Sequence, residues 1–132
     1  MTKRRAVVVG GMRTPFAKAF TELMELDTIA LGAAATSALL RKLDLPVKEI
    51  DAVVWSGVVL PPLSVNIGRE IILDLGLPTS IDGMTVTRAC ASGLQAITSA
   101  VAAIERGDAD VVIAGGSDST SNAPITFPTK VT

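Results

Sequence analysis

The chain has 132 residues, 48% of them hydrophobic, with 12 Lys or Arg against 13 Asp or Glu, one Cys and no His. That length suits one domain with a core of its own, and a formal net charge of −1 without a basic patch argues against nucleic acid as the main partner. One Cys and no His exclude an internal disulfide framework, a zinc site of the usual kind, and a Cys-His or Ser-His-Asp constellation built from this chain alone.

Lys3, Arg4 and Arg5 precede the apolar run Ala6-Val7-Val8-Val9, which closes at Gly10-Gly11. The run is too short for a signal-peptide core, so cytoplasm is the expected location. Its β-branched composition predicts a first strand, covered on both faces. The two glycines lack the Gly-x-Gly-x-x-Gly spacing, which discounts a dinucleotide site. A loop from Met12 to Glu25 follows and carries Arg13-Thr14-Pro15-Phe16.

Asp27 and Thr28 are N-cap candidates for a helix over 29–43, apolar on almost every face and ended by Leu45-Pro46. A second buried strand is expected over 52–58, with Trp55 in the core. Ser64 is the expected cap of a helix over 65–75, which Gly76 and Pro78 end. Asn66, Arg69 and Glu70 interrupt its apolar stripe, and Arg69 with Glu70 suits a solvated or salt-bridged face. A third strand over 81–87 reads as short, broken by Asp82-Gly83 and placed at a sheet edge or interface.

The next helix places Leu94, Ile97, Val101 and Ile104 on one stripe beside Ala96, Ala100 and Ala103. Such a helix buries between layers, and Gly107 ends it. A fourth strand over 111–114 runs into Gly115-Gly116, expected to turn the backbone sharply. From Asp118 onward Ser, Thr, Asn and Pro dominate, and periodicity stops. Alternating strands and helices predict an α/β fold with a mainly parallel sheet and helices on both faces, βαβαβαβ. Gly10-Gly11, Cys90 and Gly115-Gly116 all follow strands and should meet at the strands' carboxyl edge, where ligands collect in such sheets. No run reaches the ~18 to 20 apolar residues of a membrane span, so the mean hydropathy of +0.49 points to apolar surface buried against another protein.

Cys90 is expected in the first turn of its helix. There, unpaired backbone N–H groups and the helix dipole favour a thiolate and can stabilise an oxyanion on the carbonyl it attacks. Ala89, Ala91 and Gly93 keep the surroundings small enough for a thioester.

Arg88-Ala89-Cys90-Ala91-Ser92-Gly93-Leu94-Gln95-Ala96 resembles the active-site segment of the thiolases. Three more stretches match that family in the same order: Arg13-Thr14-Pro15-Phe16, Asn66-Ile67-Gly68-Arg69-Glu70, and Ala114-Gly115-Gly116-Ser117-Asp118-Ser119 with Ala123-Pro124. The wording is most similar to the β-subunit lineage of the fatty-acid oxidation (trifunctional) complex. The resemblance implies the N-terminal half of a thiolase over 1–117, with 118–132 as the start of a loop region or an open end. The C-terminal half, which bears the family's histidine and second cysteine, is then absent from the chain.

The resemblance further implies an acyltransferase in which Cys90 attacks a 3-ketoacyl-CoA, acetyl-CoA leaves, and a second CoA thiol takes the acyl group. The reverse reaction condenses two acyl-CoA molecules. The Cys90 N–H would serve one oxyanion hole. Arg13, Asn66, Arg69, Thr87, Arg88, Gly115 and Gly116 are candidates for supporting the site or an interface. Many thiolases carry asparagine where this chain has Thr87, which supplies a hydroxyl but no amide fork. Coenzyme A enters as substrate, with no cofactor and no metal. A homodimer or tetramer, a partner chain bearing the missing half, and a fatty-acid oxidation α-subunit are the implied partners. Two rival readings are a ketoacyl-synthase-type condensing enzyme and a non-catalytic fragment or dimerising scaffold. The Cys-Ala-Ser-Gly wording opposes the first, and the intact cysteine segment opposes the second.

Overall fold

A computed structural model describes residues 3–130. Three strands form a parallel sheet: β1 (Ala52–Ser56) in the centre, β2 (Asp82–Val86) on one side and β3 (Val112–Gly116) on the other. Pairing is in register, with Trp55 opposite both Thr85 and Gly115. Helix α1 (Thr28–Leu43) precedes β1, and α2 (Ile67–Asp74) and α3 (Ser92–Arg106) connect the strands.

The sheet's two faces follow from strand alternation. Val53, Trp55 and Ile113 point to one side, where they form the core with Ile67, Ile71 and Ile72 of α2 and with Ile29, Leu39 and Leu40 of α1. Val54 points to the other side, shared by residues of α3. Helices on both faces of a parallel sheet are as expected. Close approach depends on small residues. A Cβ on Gly32 would stand 2.6 Å from the Ile71 side chain and 3.0 Å from the Trp55 ring.

Caps are legible one by one. The Asp27 carboxylate accepts from the Ala30 N–H at 2.8 Å and starts α1, as expected. Gly107 ends α3 at φ 84°, in the left-handed region where glycine is free of strain. The second helix is capped by Asn66 and not by Ser64. Asn66 Oδ1 accepts from the Arg69 N–H, and its Nδ2 donates to Gly83 O at 3.0 Å, so one side chain both starts α2 and ties it to β2.

Three expectations are corrected. Residues 6–9 form no strand, and Val7, Val8 and Val9 are 75, 86 and 77% exposed. A β-branched run becomes a strand only where its backbone pairs with a neighbour. Here β3 pairs only with β1 among the described residues, and residues 6–9 form no ladder with its other edge. Arg4 anchors the start of this segment, donating to Ile104 O and Ala109 O and pairing with Asp110. Secondly, Asp82-Gly83 does not break β2. Gly83 is needed because a Cβ there would stand 2.9 Å from Arg69 Cα. Thirdly, Gly115 and Gly116 finish β3 and make no turn. Their missing side chains leave room for the Trp55 ring and the Ser56 hydroxyl.

Helix α3 lies with its small residues inward. Ser92, Ala96 and Ala100 are buried, while Leu94 and Ile97 are 67 and 44% exposed. The expected burial between two layers is thus satisfied on one side only. Beyond β3 the chain leaves through a short 3₁₀ turn, Thr120–Asn122, and residues 123–130 hold no helix or strand.

Candidate active site

A cleft of about 670 Å³ opens at the carboxyl ends of the strands. Gly57 follows β1, Cys90 follows β2, and Gly115 to Asp118 close β3; all line it, with the loop 10–18 as the opposite wall. The convergence expected of Gly10-Gly11, Cys90 and Gly115-Gly116 is therefore observed.

Cys90 is a free, exposed thiol two residues before the start of α3, ahead of the first turn and not inside it. Its backbone is set by a tight turn. The Ala91 N–H donates to Arg88 O at 3.0 Å and the Ser92 N–H to Ala89 O at 3.1 Å. Between them Ala89 sits at φ 47°, a left-handed conformation that costs a non-glycine residue about 1 to 2 kcal/mol. The Ser92 hydroxyl accepts from the Arg88 N–H at 2.7 Å and donates to Ala89 O at 2.6 Å. Among the described residues the Cys90 N–H has no backbone or side-chain acceptor, which leaves it free for a ligand oxygen. Nothing lies within 4 Å of where a Gly93 Cβ would stand, so the cleft is open at that position.

The strand exits are stitched together by side chains whose contacts the sequence did not disclose. Ser117 Oγ accepts from Trp55 Nε1 and donates to Thr28 O, both at 2.8 Å. Asp118 accepts from the Val58 and Val59 N–H groups at 2.8 and 2.7 Å and holds the loop after β1 against the exit of β3. Asn122 Nδ2 donates to Met24 O and Leu26 O, binding the loop that precedes α1. Ser117 and Asp118 stand in the Ala114–Ser119 stretch that matches the thiolases and Asn122 in the polar stretch after it, but neither pattern named these partners.

The candidates divide by place. Arg13, Gly115 and Gly116 line the cleft, and the Arg13 guanidinium donates to its neighbour Thr14 O. Thr87 is exposed at the exit of β2 and Arg88 donates to Gln95 Oε1; neither lines the cleft. Asn66 and Arg69 lie at the α2–β2 contact. Arg69 donates to Thr79 O and Ile81 O, so it braces the approach to β2 and forms no ion pair with Glu70 among the described residues.

Arg13, Lys18 and Asp118 are the charged residues lining the cleft, and the Asp118 carboxylate is already occupied by backbone donors. Among the described residues no three His, Cys, Asp or Glu side chains come together as a metal site. What the cleft offers chemically is a nucleophilic sulfur beside free backbone donors.

A family model described as the thiolase N-terminal domain matches residues 6–132. The chain belongs to the thiolase family. This thiolase domain is 43% identical over 127 residues to a 3-ketoacyl-CoA thiolase of Aliivibrio fischeri (strain ES114) and 40% identical to one of Pseudoalteromonas translucida. Each match covers 96% of the chain and 29% of the relative. The thiolase domain also superposes on the Bacillus anthracis acetyl-CoA acetyltransferase with a TM-score of 0.91 at 26% identity, covering 96% of the chain and 32% of that structure. A thiolase of Ascaris suum in complex with coenzyme A gives 0.86 at 31% identity, covering 92% and 32%. The chain thus spans less than a third of the length of these relatives.

Proposed function

We propose that this chain is the nucleophile-bearing part of a thiolase-type acyltransferase that cleaves 3-ketoacyl-CoA through an acyl-cysteine on Cys90. The carrying observation is the placement of the chain's one thiol, exposed in a cleft at the strands' carboxyl ends beside a backbone N–H with no acceptor. The Cys90 sulfur attacks the keto carbonyl, acetyl-CoA leaves, and a second coenzyme A thiol accepts the shortened acyl group. Run backwards, the same steps condense two acyl-CoA molecules. Coenzyme A is a substrate in this scheme, and no cofactor is required.

The chain contains no histidine. Proton transfers to and from the second thiol therefore need groups outside these residues, from the second half of a longer polypeptide or from a partner chain. An acyl-cysteine formed here should consequently persist. The relatives' name, 3-ketoacyl-CoA thiolase, supports fatty-acid degradation as the setting. A cytoplasmic homodimer or tetramer, joined to a fatty-acid oxidation α-subunit, is the proposed assembly.

Intact-mass spectrometry after brief exposure to acetyl-CoA tests this reading. The expected product is one acetyl group, mapped to Cys90 by peptide analysis and missing from Cys90→Ser. A wild-type chain that stays unmodified, or that carries its acetyl group elsewhere, would overturn the proposal.

A further inference from the structure

The turn that presents Cys90 is closed by backbone hydrogen bonds and, among the described side chains, by one buried hydroxyl. Ser92 is 3% exposed, and its Oγ accepts from the Arg88 N–H while donating to Ala89 O. The same carbonyl also accepts from the Ser92 N–H at 3.1 Å. The Ala89 carbonyl and the Cys90 N–H are the two ends of one planar, trans peptide unit. Holding the oxygen therefore fixes where the N–H points. Two hydrogen bonds accepted at the oxygen also polarise the unit and make its N–H a stronger donor.

We propose that Ser92 is a positioning residue for the acyl transfer, orienting the Ala89–Cys90 peptide so that the Cys90 N–H meets the oxyanion. The proposal rests on the acyl-cysteine reading above. In that step the Cys90 thiolate forms an S–C bond with the thioester carbonyl carbon, and the carbonyl π pair moves onto oxygen. Return of that pair breaks the C–S bond to coenzyme A, whose thiolate takes up a proton from solvent equal to the one the Cys90 thiol released. The negative oxygen exists only between these events, so a donor fixed beforehand acts on the barrier. The φ of 47° at Ala89 gives the clamp its purpose, because alanine left to itself relaxes out of the left-handed region and rotates this peptide plane.

The test compares two reactions of the same sulfur. Acylation by acetyl-CoA or by 4-nitrophenyl acetate passes through an oxyanion, whereas alkylation by iodoacetamide displaces iodide and does not. Ser92→Ala should slow both acylations by about tenfold to a hundredfold and change alkylation by less than about twofold. Ser92→Thr, which keeps the hydroxyl, should recover most of the loss. Equal slowing of acylation and alkylation, or no slowing of either, would overturn the role. If Ser92→Ala does not fold by circular dichroism, Ser92→Thr and Ser92→Val, alike in shape and differing in the hydroxyl, make the same comparison. Wild-type protein acylated by 4-nitrophenyl acetate but not by acetyl-CoA would overturn the acyl-CoA reading alone, and the ester rates would still decide the role of Ser92. Acylation by neither donor overturns both.

Discussion

Gly68 and Gly93 both lie inside helices, where replacing glycine by alanine ordinarily stabilises by about 0.5 to 1 kcal/mol. The structure gives the two substitutions opposite signs. A Cβ on Gly68 would stand 2.5 Å from Met84 O, 3.1 Å from its carbonyl carbon and 3.2 Å from its nitrogen. These are backbone atoms of β2, held in register by β1, so no side chain can swing away. The Gly68 N–H also donates to Thr85 Oγ1 at 3.0 Å, and retreat of the helix would stretch that bond. Overpacking against such a wall costs about 2 to 3 kcal/mol. Subtracting the propensity gain leaves Gly68→Ala destabilised by about 1 to 2 kcal/mol, a fall in Tm of about 4 to 8 °C for a chain of this size. Gly93 meets nothing within 4 Å. Gly93→Ala should accordingly raise Tm by about 2 to 4 °C. Thermal melts followed by far-ultraviolet circular dichroism read both. A Gly68→Ala protein melting at or above the wild type, or a Gly93→Ala protein melting below it, would refute the packing argument.

Asp118→Ala leaves the Val58 and Val59 N–H groups without their carboxylate and should cost about 1 to 2 kcal/mol in urea unfolding, with Asp118→Asn retaining about half; equal midpoints for all three proteins would deny the clamp. Trp55→Phe keeps the ring's packing and removes the bond to Ser117 Oγ, so a loss of about 1 kcal/mol is expected by denaturant titration, and a loss above about 3 kcal/mol would mean that the ring itself had moved. The Val111 and Asp110 N–H groups, which donate to Asp51 at 2.9 and 2.7 Å, hold its carboxyl below the usual value of about 3.9. A depressed carboxyl contributes stability that is full above its unfolded pKa and is lost as pH falls through the folded one. Wild-type urea midpoints should therefore fall more steeply than those of Asp51→Asn as pH drops below about 5, and parallel curves would contradict this reading.

Local chemistry made most of the elements readable. Asp27 before an apolar run, Gly107 after one, and the alternation of strands with helices each express a constraint between neighbouring residues. The cleft's position was legible for a related reason, since parallel strands carry their following residues to a common edge. What failed depended on partners distant in the chain. Ala6-Val7-Val8-Val9 has strand composition, but composition does not supply the pairing, and the run stays exposed. Gly115-Gly116 looked like a turn because the sequence does not show that Trp55 lies across from it. Arg69 read as part of a solvated or salt-bridged face and Asn66 only as a break in an apolar stripe, because the carbonyls they hold belong to residues 79 to 83. Cys90 was found by its wording, whereas Ser92, within the same wording, showed its part only once its hydroxyl was placed.

The narrowness of Ala96 and Ala100 has a bearing on the cleft that neither residue reveals by lining it. At 0 and 6% exposure they are the shims on which α3 rests, and one methyl group each sets how low that helix rides over the sheet. Cys90 is carried at one end of this beam and Gly115 at the end of the strand beneath it. A thicker shim at Ala96 would lift the beam and widen the gap between sulfur and strand without altering any cleft residue. The width of the cleft is thus adjusted from below, by the thickness of side chains that do not line it.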